Sequence, residues 1–222
     1  MYWLDSRGLL MVNKVLFDFD GTLIRGNSFP LWIRHLLFCS LIEARVCVFI
    51  KIIYLLVKRK ILHLSSHEDL KHSLILLDVP DAWTKSFISL IVKRARKDTI
   101  DMAVGHILNG DKVIISSAAP IKYLSPIVHK LFGMEAQEIS IIGADVVNGK
   151  LNNNHKKMKL VNLYTMKLLD ESDFLQYLYT DSCDDRYLAA VTERLLLVSP
   201  DSKTLIYFNS NESSNRFFCL MQ

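Results

Sequence analysis

Val15-Leu16-Phe17-Asp18-Phe19-Asp20-Gly21-Thr22-Leu23 is the stretch that decides the fold. Its apolar head, taken from Lys14 to Phe19, reads as a short buried strand. Asp18 and Asp20 stand two residues apart, so at strand period both carboxylates fall on one side of the chain. Gly21 supplies a turn and Thr22 a hydroxyl. Carboxylates this close resist ionising together unless a cation sits between them. The stretch therefore predicts a phosphate-and-metal site with bound Mg²⁺ and an acidic nucleophile. Taken alone it reads equally well as an acidic turn after a strand, and the downstream pattern decides.

Outward from this strand, Phe29–Val57 is a long apolar stretch interrupted by Arg34, Glu43, Arg45 and Lys51. No window reaches the ~18 uninterrupted apolar residues of a membrane span, so the stretch predicts two helices, deeply buried or lying on a membrane surface. Lys58-Arg59-Lys60 follows as a basic cluster. Ser66 then stands as an N-cap before Glu68 and Asp69 in a first turn, opening a helix over 67–77. Ala82–Lys97 reads as a further helix. Residues 27–97 are thus expected to be all-helical.

Beyond them the pattern alternates. Lys112–Ser116 is a β-branched strand after the turn Asn109-Gly110-Asp111. Pro120–Phe132 is helical, and Ile139–Val147 a strand. Asn148-Gly149 marks a hairpin returning through Leu151–Asn154. Lys156–Lys167 is helical, Phe174–Thr180 a strand, Asp185–Arg194 helical, and Leu195–Val198 a last short strand. Alternating strands and helices imply an α/β fold with a doubly wound parallel sheet. The expected organisation is a Rossmann-like core of 11–26 and 98–208, with an all-helical cap, 27–97, inserted after the first core strand. Residues 1–10 form an extension, since Met11 also serves as a start. Residues 209–222 form a tail that no pattern places.

The chain has 222 residues, which suits one large domain or a core with a modest insertion. Half the residues are hydrophobic and 23% charged, which excludes a disordered chain. A net charge of +4 is too small an excess to imply nucleic acid, yet a basic face favours anionic substrates or lipid. Cys39, Cys47, Cys183 and Cys219 show neither paired nor zinc spacing, which points to a reduced cytoplasmic setting. The first 13 residues lack a secretory signal pattern.

In a doubly wound sheet the site lies beyond the carboxyl ends of the strands. Four such ends carry chemistry: Asp18 and Asp20; Ser116-Ser117 before Ala118-Ala119-Pro120; Lys156, Lys157 and Lys159 opening a helix; and Asp181, Asp184 and Asp185. A carboxylate can attack phosphorus, and a second can protonate the leaving oxygen and then activate water. Mg²⁺ takes oxygen ligands, and a lysine with a hydroxyl at a helix start binds the remaining phosphate oxygens.

These residues resemble the haloacid dehalogenase-like hydrolases. DFDGTL is similar to the first motif of that superfamily, IISSAAP to the second and YTDSCDD to the acidic fourth. Motif order and the helical insertion resemble the phosphoserine phosphatase-like branch over about residues 14–205, and VSPDSKTL continues the likeness past the last strand. The resemblance implies Asp18 as nucleophile, Asp20 as general acid/base, and Ser117, Ala118, Gly21 and Thr22 around the phosphate. It implies Lys159 as the third-motif lysine, with Lys156 and Lys157 left open because Lys156 stands where a glycine is usual. It also implies Asp18, the Asp20 carbonyl and Asp181 around Mg²⁺, with Asp185 as the second acid beside the metal, orienting metal water or the lysine. Thr180 departs mildly from the usual Gly or Ser, with an effect expected on packing rather than chemistry.

The seven histidines show no metal spacing and read as structural, and Asp184 as an exposed helix start. The apolar stretch 29–57 admits three readings: a cap packed on itself, a membrane-surface patch anchored by Trp32, Phe38, Phe49 and Tyr54 beside Lys58-Arg59-Lys60, or a dimer interface. The implied activity is a Mg²⁺-dependent phosphomonoesterase. Its apolar cap resembles branch members acting on lipid phosphates such as phosphatidylglycerophosphate, so the expected substrate is a phosphorylated small molecule or lipid. The enzyme is then cytoplasmic, with peripheral contact at the inner membrane face. Phosphotransfer to another alcohol and a non-catalytic phosphate-binding role are the alternatives.

Overall fold

The computed structural model describes residues 12–211 and the backbone of 217–220. The 1–10 extension and the second start at Met11 lie outside the described residues.

The apolar run of the first motif forms β1 (Lys14–Phe17), the middle of a seven-stranded sheet. Its alternation splits the core. Val15, Phe17 and Phe19 enter one hydrophobic cluster, and Leu16 enters the cluster on the opposite face. A strand apolar on both faces needs cover on both, which is the condition of a central parallel strand. β2 (Lys112–Pro120) and β5 (Leu175–Thr180) flank it, both parallel. β3 (Ile139–Val147) lies beyond β2 and carries the antiparallel hairpin strand β4 (Lys150–Asn152). β6 (Thr192–Val198) lies beyond β5. Residues 217–220, which no sequence pattern places, form β7 (Phe217–Leu220), parallel to β6 at the sheet edge. The order is β4-β3-β2-β1-β5-β6-β7, so the chain direction switches at β1. Phe17 registers with Ile115 on one side and Tyr179 on the other. Asp18, Ser116–Ser117 and Thr180–Asp181 consequently leave the sheet along one edge.

Four of the five helices between β1 and β2 form the insertion: α1 (Ser28–Ile42), α2 (Val46–Lys60), α3 (His67–Ile75) and α4 (Asp81–Val92). Ser66 caps α3 through a capping box with Asp69, as the Ser-x-x-acid spacing predicts. The insertion is entered and left through a paired neck. Ile24 bridges Ala95, Arg25 N donates to Arg94 O at 2.8 Å, and Arg96 N donates to Leu23 O at 2.8 Å. This neck ends α4 at Val92, short of the Lys97 that its basic run suggests, and a separate helix follows, α5 (Lys97–Leu108). Trp32 and Phe87 of the insertion pack on Tyr123 of α6 (Ile121–Phe132), at centroid distances of 5.5 and 5.1 Å. Trp83, Phe87 and Tyr123 are fully buried, and each side chain of this kind contributes roughly 2–3 kcal/mol by leaving water.

The other face of the sheet holds α7 (Lys157–Thr165), α8 (Arg186–Ala189) and α9 (Ser202–Asn211). The helix expected over Asp185–Arg194 is one turn long. From Thr192 the chain pairs with β5, Tyr177 against Arg194, and ladder pairing overrides the helix-forming Glu193 and Arg194.

Candidate active site

The carboxyl edge of the sheet opens into a cavity of about 570 Å³ beneath the helical insertion. Asp18, Asp20, Gly21, Ser117, Ala118, Lys159, Asp181, Asp184 and Asp185 line it from the core. Asn27, Phe29, Pro30, His67 and Lys71 line it from the insertion, and Arg96 from the neck.

Asp18 follows the last β1 residue and is buried; its N–H donates to Tyr179 O at 2.9 Å, which fixes the strand end. Lys159, 4% exposed on the first turn of α7, donates to Asp18 Oδ1 at 2.8 Å and to Asp185 at 2.8–3.0 Å. Of the three lysines open from sequence, Lys159 reaches the carboxylates. Lys156 turns to Asp184 at 3.8 Å and Lys157 is exposed. Burial alone lowers a lysine, but Asp18 and Asp185 outweigh it and hold Lys159 above its ordinary value.

Asp185 lies against Lys159, the arrangement expected of a second acid that orients the lysine. Its carboxylate accepts from Lys159 and, at 2.7 Å, from Thr180 Oγ1. Thr180 thereby enters the charge network, where sequence gave it only a packing role. Thr22 is also displaced from expectation: it is fully buried behind the cavity wall, and its Oγ1 has no partner among the described residues. Ser117 faces the cavity, its Oγ accepting from Ala119 N at 3.0 Å, whereas Ser116 turns inward to Asn154.

Asn154, unsuspected from sequence, braces this loop. Its Nδ2 donates to Ser116 Oγ and Ser117 O at 3.0 Å, and its Oδ1 accepts from Asn162 at 2.9 Å. Only its place after a hairpin turn, just ahead of the lysine run, marked it out. His67 and His155, read as structural, open onto the cavity, and His155 Nε2 lies 3.3 Å from Asp184.

Asp20 stands apart from the lysine. Its Oδ1 accepts from Ser28 N at 2.7 Å, at the start of α1. Burial raises Asp20 to about 6 against the lowering pull of that bond. A carboxyl in this range exchanges its proton within reach of neutral pH, so it can give one and take one back. Burial likewise lifts Asp18 well above its ordinary value; Lys159 opposes the rise, and Asp185 and Asp181 reinforce it. Burial, followed by Asp185, lifts Asp181 to about 6. Asp18 and Asp185 share the one ammonium and Asp181 adds a further carboxylate beside them, and this excess negative charge fits a cation beside Asp18 and Asp181. Among the described residues no three His, Cys, Asp or Glu side chains form a closed metal cage. Two carboxylates and a backbone carbonyl instead suit a hard ion that keeps several waters, which is the habit of Mg²⁺.

Gly21 makes this closeness possible. At φ +80° it takes a backbone that favours glycine, and a Cβ there would lie 1.9 Å from Asp181 Oδ2.

Lys71 of α3 is the further site residue that sequence did not single out. It is 2% exposed and lines the cavity, yet no carboxylate pairs with it among the described residues. Its Nζ donates to Ala118 O at 2.9 Å and Asn153 Oδ1 at 3.0 Å and lies 5.7 Å from the Phe29 ring centroid. Burial lowers it to about 8, with Glu68 and Asp20 opposing.

A family model for haloacid dehalogenase-like hydrolases matches residues 15–190. The fold is similar to that of a Bordetella pertussis Tohama I protein of unknown function, with TM-score 0.71 at 17% identity, over 95% of this chain and 99% of that one. It is similar to a phosphoserine phosphohydrolase-like protein from Francisella tularensis, with TM-score 0.57 at 18% identity, over 89% and 93% of the two chains. A phosphoserine phosphatase solved as a phospho-aspartyl intermediate analogue matches with TM-score 0.54 at 12% identity, over 88% and 90%. No curated protein matches the sequence significantly.

Proposed function

The chain belongs to the haloacid dehalogenase-like hydrolases, and on that premise we propose that it hydrolyses phosphomonoesters through an aspartyl-phosphate on Asp18, with Mg²⁺ as cofactor. The observation that carries this reading is the division of labour between two acids, Asp18 buried and Asp20 half-buried. Asp18 is held by Lys159, and Asp20, bonded to Ser28 N–H, retains an oxygen for a proton.

Asp18 Oδ1 accepts from Lys159, which leaves Oδ2 to attack phosphorus. The Asp18–phosphorus bond forms as the ester oxygen–phosphorus bond breaks, and the leaving oxygen takes the proton of Asp20. Water then attacks phosphorus, gives its proton to Asp20, and the Asp18 carboxylate is released with inorganic phosphate. Ser117 Oγ, the Ala118 N–H and Lys159 stabilise the phosphoryl oxygens, a contribution of about 2.7–4 kcal/mol for a well-placed donor. Mg²⁺, held by Asp18, Asp181 and the Asp20 carbonyl, would supply charge neutralisation between nucleophile and phosphate. The helices above the cavity exclude bulk water and select the leaving group.

The substrate that best suits these walls is the phosphate of a hydrophobic alcohol or lipid, met by the insertion at a membrane face. Phe29 and Pro30 provide apolar contact, while Lys71 and Arg96 provide cationic contact toward an anionic leaving group.

The test is phosphate release from a panel of phosphomonoesters, lipid phosphates in micelles included, with Mg²⁺ and with chelator, beside Asp18→Asn. Mg²⁺-dependent release that disappears in the variant is the expected result. Release that is indifferent to Asp18 would overturn the reading.

A further inference from the structure

α2 is apolar on both faces, and only one face is used. Val48, Leu55 and Leu56 pack against the core and Ile52 is its one fully buried residue. At 100° per residue, Val46, Ile50, Ile53, Tyr54, Val57 and Ile61 make a second stripe roughly 100° wide on the opposite side. Val46 and Ile50 are 59% exposed, Tyr54 58% and Ile61 69%. At the end of α1, the helix packed beside α2, Phe38 and Ile42 are also exposed, as is Leu64 in the loop after α2. Soluble monomers rarely leave a contiguous apolar surface of this extent without a use for it.

The charge around the patch has one sign. Residues 28–64 hold six Lys or Arg against a single Glu, a net charge of +5 where the whole chain carries +4. That acid, Glu43, already accepts from Trp83 Nε1 at 2.6 Å and faces Arg45 at 3.6 Å. On the helix, Lys51 and Lys58 flank the stripe on one side and Lys60 on the other. An apolar stripe edged by lysines is the pattern of a helix lying in the plane of a bilayer interface. A second copy of the chain would bring +5 against +5 across the same face, which disfavours self-association.

We propose that the outward stripe of α2, with the end of α1 and the 61–64 loop, docks the protein on a bilayer containing anionic lipid, with Lys51, Lys58 and Lys60 at the edges of the stripe reaching the headgroups. Trp32 and Phe49, anchors in the sequence reading, do not belong to this surface: Trp32 is buried on Phe87 and Phe49 is half-buried. Among the described residues no helix is long and apolar enough to cross the membrane, so the contact is parallel to it. The docking rests on the lipid-phosphate reading for its purpose; its evidence is exposure and charge.

The experiment is co-sedimentation of the full chain with phosphatidylcholine vesicles, with and without about 30% phosphatidylglycerol, at low and high salt. Binding is expected on the anionic vesicles and is expected to weaken with salt. Ile50→Asp/Tyr54→Asp should lower affinity at least tenfold while the melting midpoint is kept, and Lys51→Glu/Lys58→Glu should do the same on anionic vesicles alone. Failure to bind either vesicle overturns the proposal. So does binding that ignores both variants, or a solution dimer that Ile50→Asp/Tyr54→Asp converts to monomer. Hydrolysis of a water-soluble ester, measured in parallel, reads the chemistry separately. Vesicle binding without any hydrolysis would count against the phosphatase reading and leave the docking standing.

Discussion

Two buried lysines face the same cavity, Lys159 from core helix α7 and Lys71 from inserted helix α3, and they are held in opposite ways. Lys159 spends its charge on Asp18 and Asp185, and its proton is held tightly. Lys71 rests on the Ala118 carbonyl and the Asn153 amide, and burial weakens its hold on its proton to about 8. The core side of the site is thus a closed charge network, fixed before any substrate arrives. The side above it carries a cation that neutral acceptors only partly compensate. Groups that must hold reacting atoms in line gain from such preorganisation. A group that recognises the variable part of a substrate gains from being left unpaired.

The largest effect expected on the core side is that of Asp18→Asn. Turnover should fall by at least roughly 10³-fold with the circular dichroism spectrum unchanged, because the amide is no nucleophile. Substantial residual phosphate release would remove Asp18 from its role. Next comes Lys159→Met, expected to cost roughly 10²–10³-fold in kcat. It also leaves Asp18 and Asp185 buried without their cation, so stability should drop by about 3–5 kcal/mol in a denaturant titration. Lys157→Met, at an exposed neighbour, is the control expected to change either by little. Equal mild losses at both lysines would break the contrast between a spent and an unspent charge.

Gly21→Ala should be intermediate. The Cβ collides with Asp181 Oδ2 and the backbone is left-handed, so a cost of about 1–3 kcal/mol and a raised Mg²⁺ requirement should appear together. An unchanged Mg²⁺ titration would separate Asp181 from the metal.

Lys71→Met is the smallest effect, about tenfold in kcat/KM and carried mainly by KM, with Lys71→Arg restoring much of it. The pH dependence has a definite sign. Lys71 is charged below about 8 and loses its proton above it, so affinity for substrate should decline as pH rises past 8. In Lys71→Arg that limb should vanish from the accessible range. Stability should move the other way: the native state binds this proton less tightly than the unfolded chain, so stability rises with pH between about 8 and the ordinary lysine range.

The same division explains which parts of the molecule could be read without coordinates. The core site is written in short runs where a strand end and its chemistry coincide. DFDGTL, IISSAAP and YTDSCDD each carry both, and the sheet register then brings Asp18, Ser117 and Asp181 to one edge. Lys159 came from the resemblance, which left Lys156 and Lys157 open, and the fold distinguishes it by bringing its ammonium onto Asp18 and Asp185. Lys71 was not legible, because a lysine among helix-forming residues reads as a solvated face until α3 is laid over the Ala118 loop. Asn154 and Thr180 escaped for a related reason, since their value lies in partners 38 and 5 residues away. α5 was hidden by a basic run that mimics a helix end, and the neck pairing that divides the two helices involves residues about 70 positions apart in the chain. α2 is apolar on two opposite faces, so periodicity could not say which of them stays uncovered.

The most direct test of the central claim is a single-turnover acid quench with a phosphomonoester the enzyme accepts, followed by peptide mapping of the phosphorylated residue. Transient phosphate on the peptide carrying Asp18, absent from Asp18→Asn, is the predicted result. Phosphate released within that turnover with no phosphoryl group ever found on Asp18, or with the label on another residue, would contradict the account.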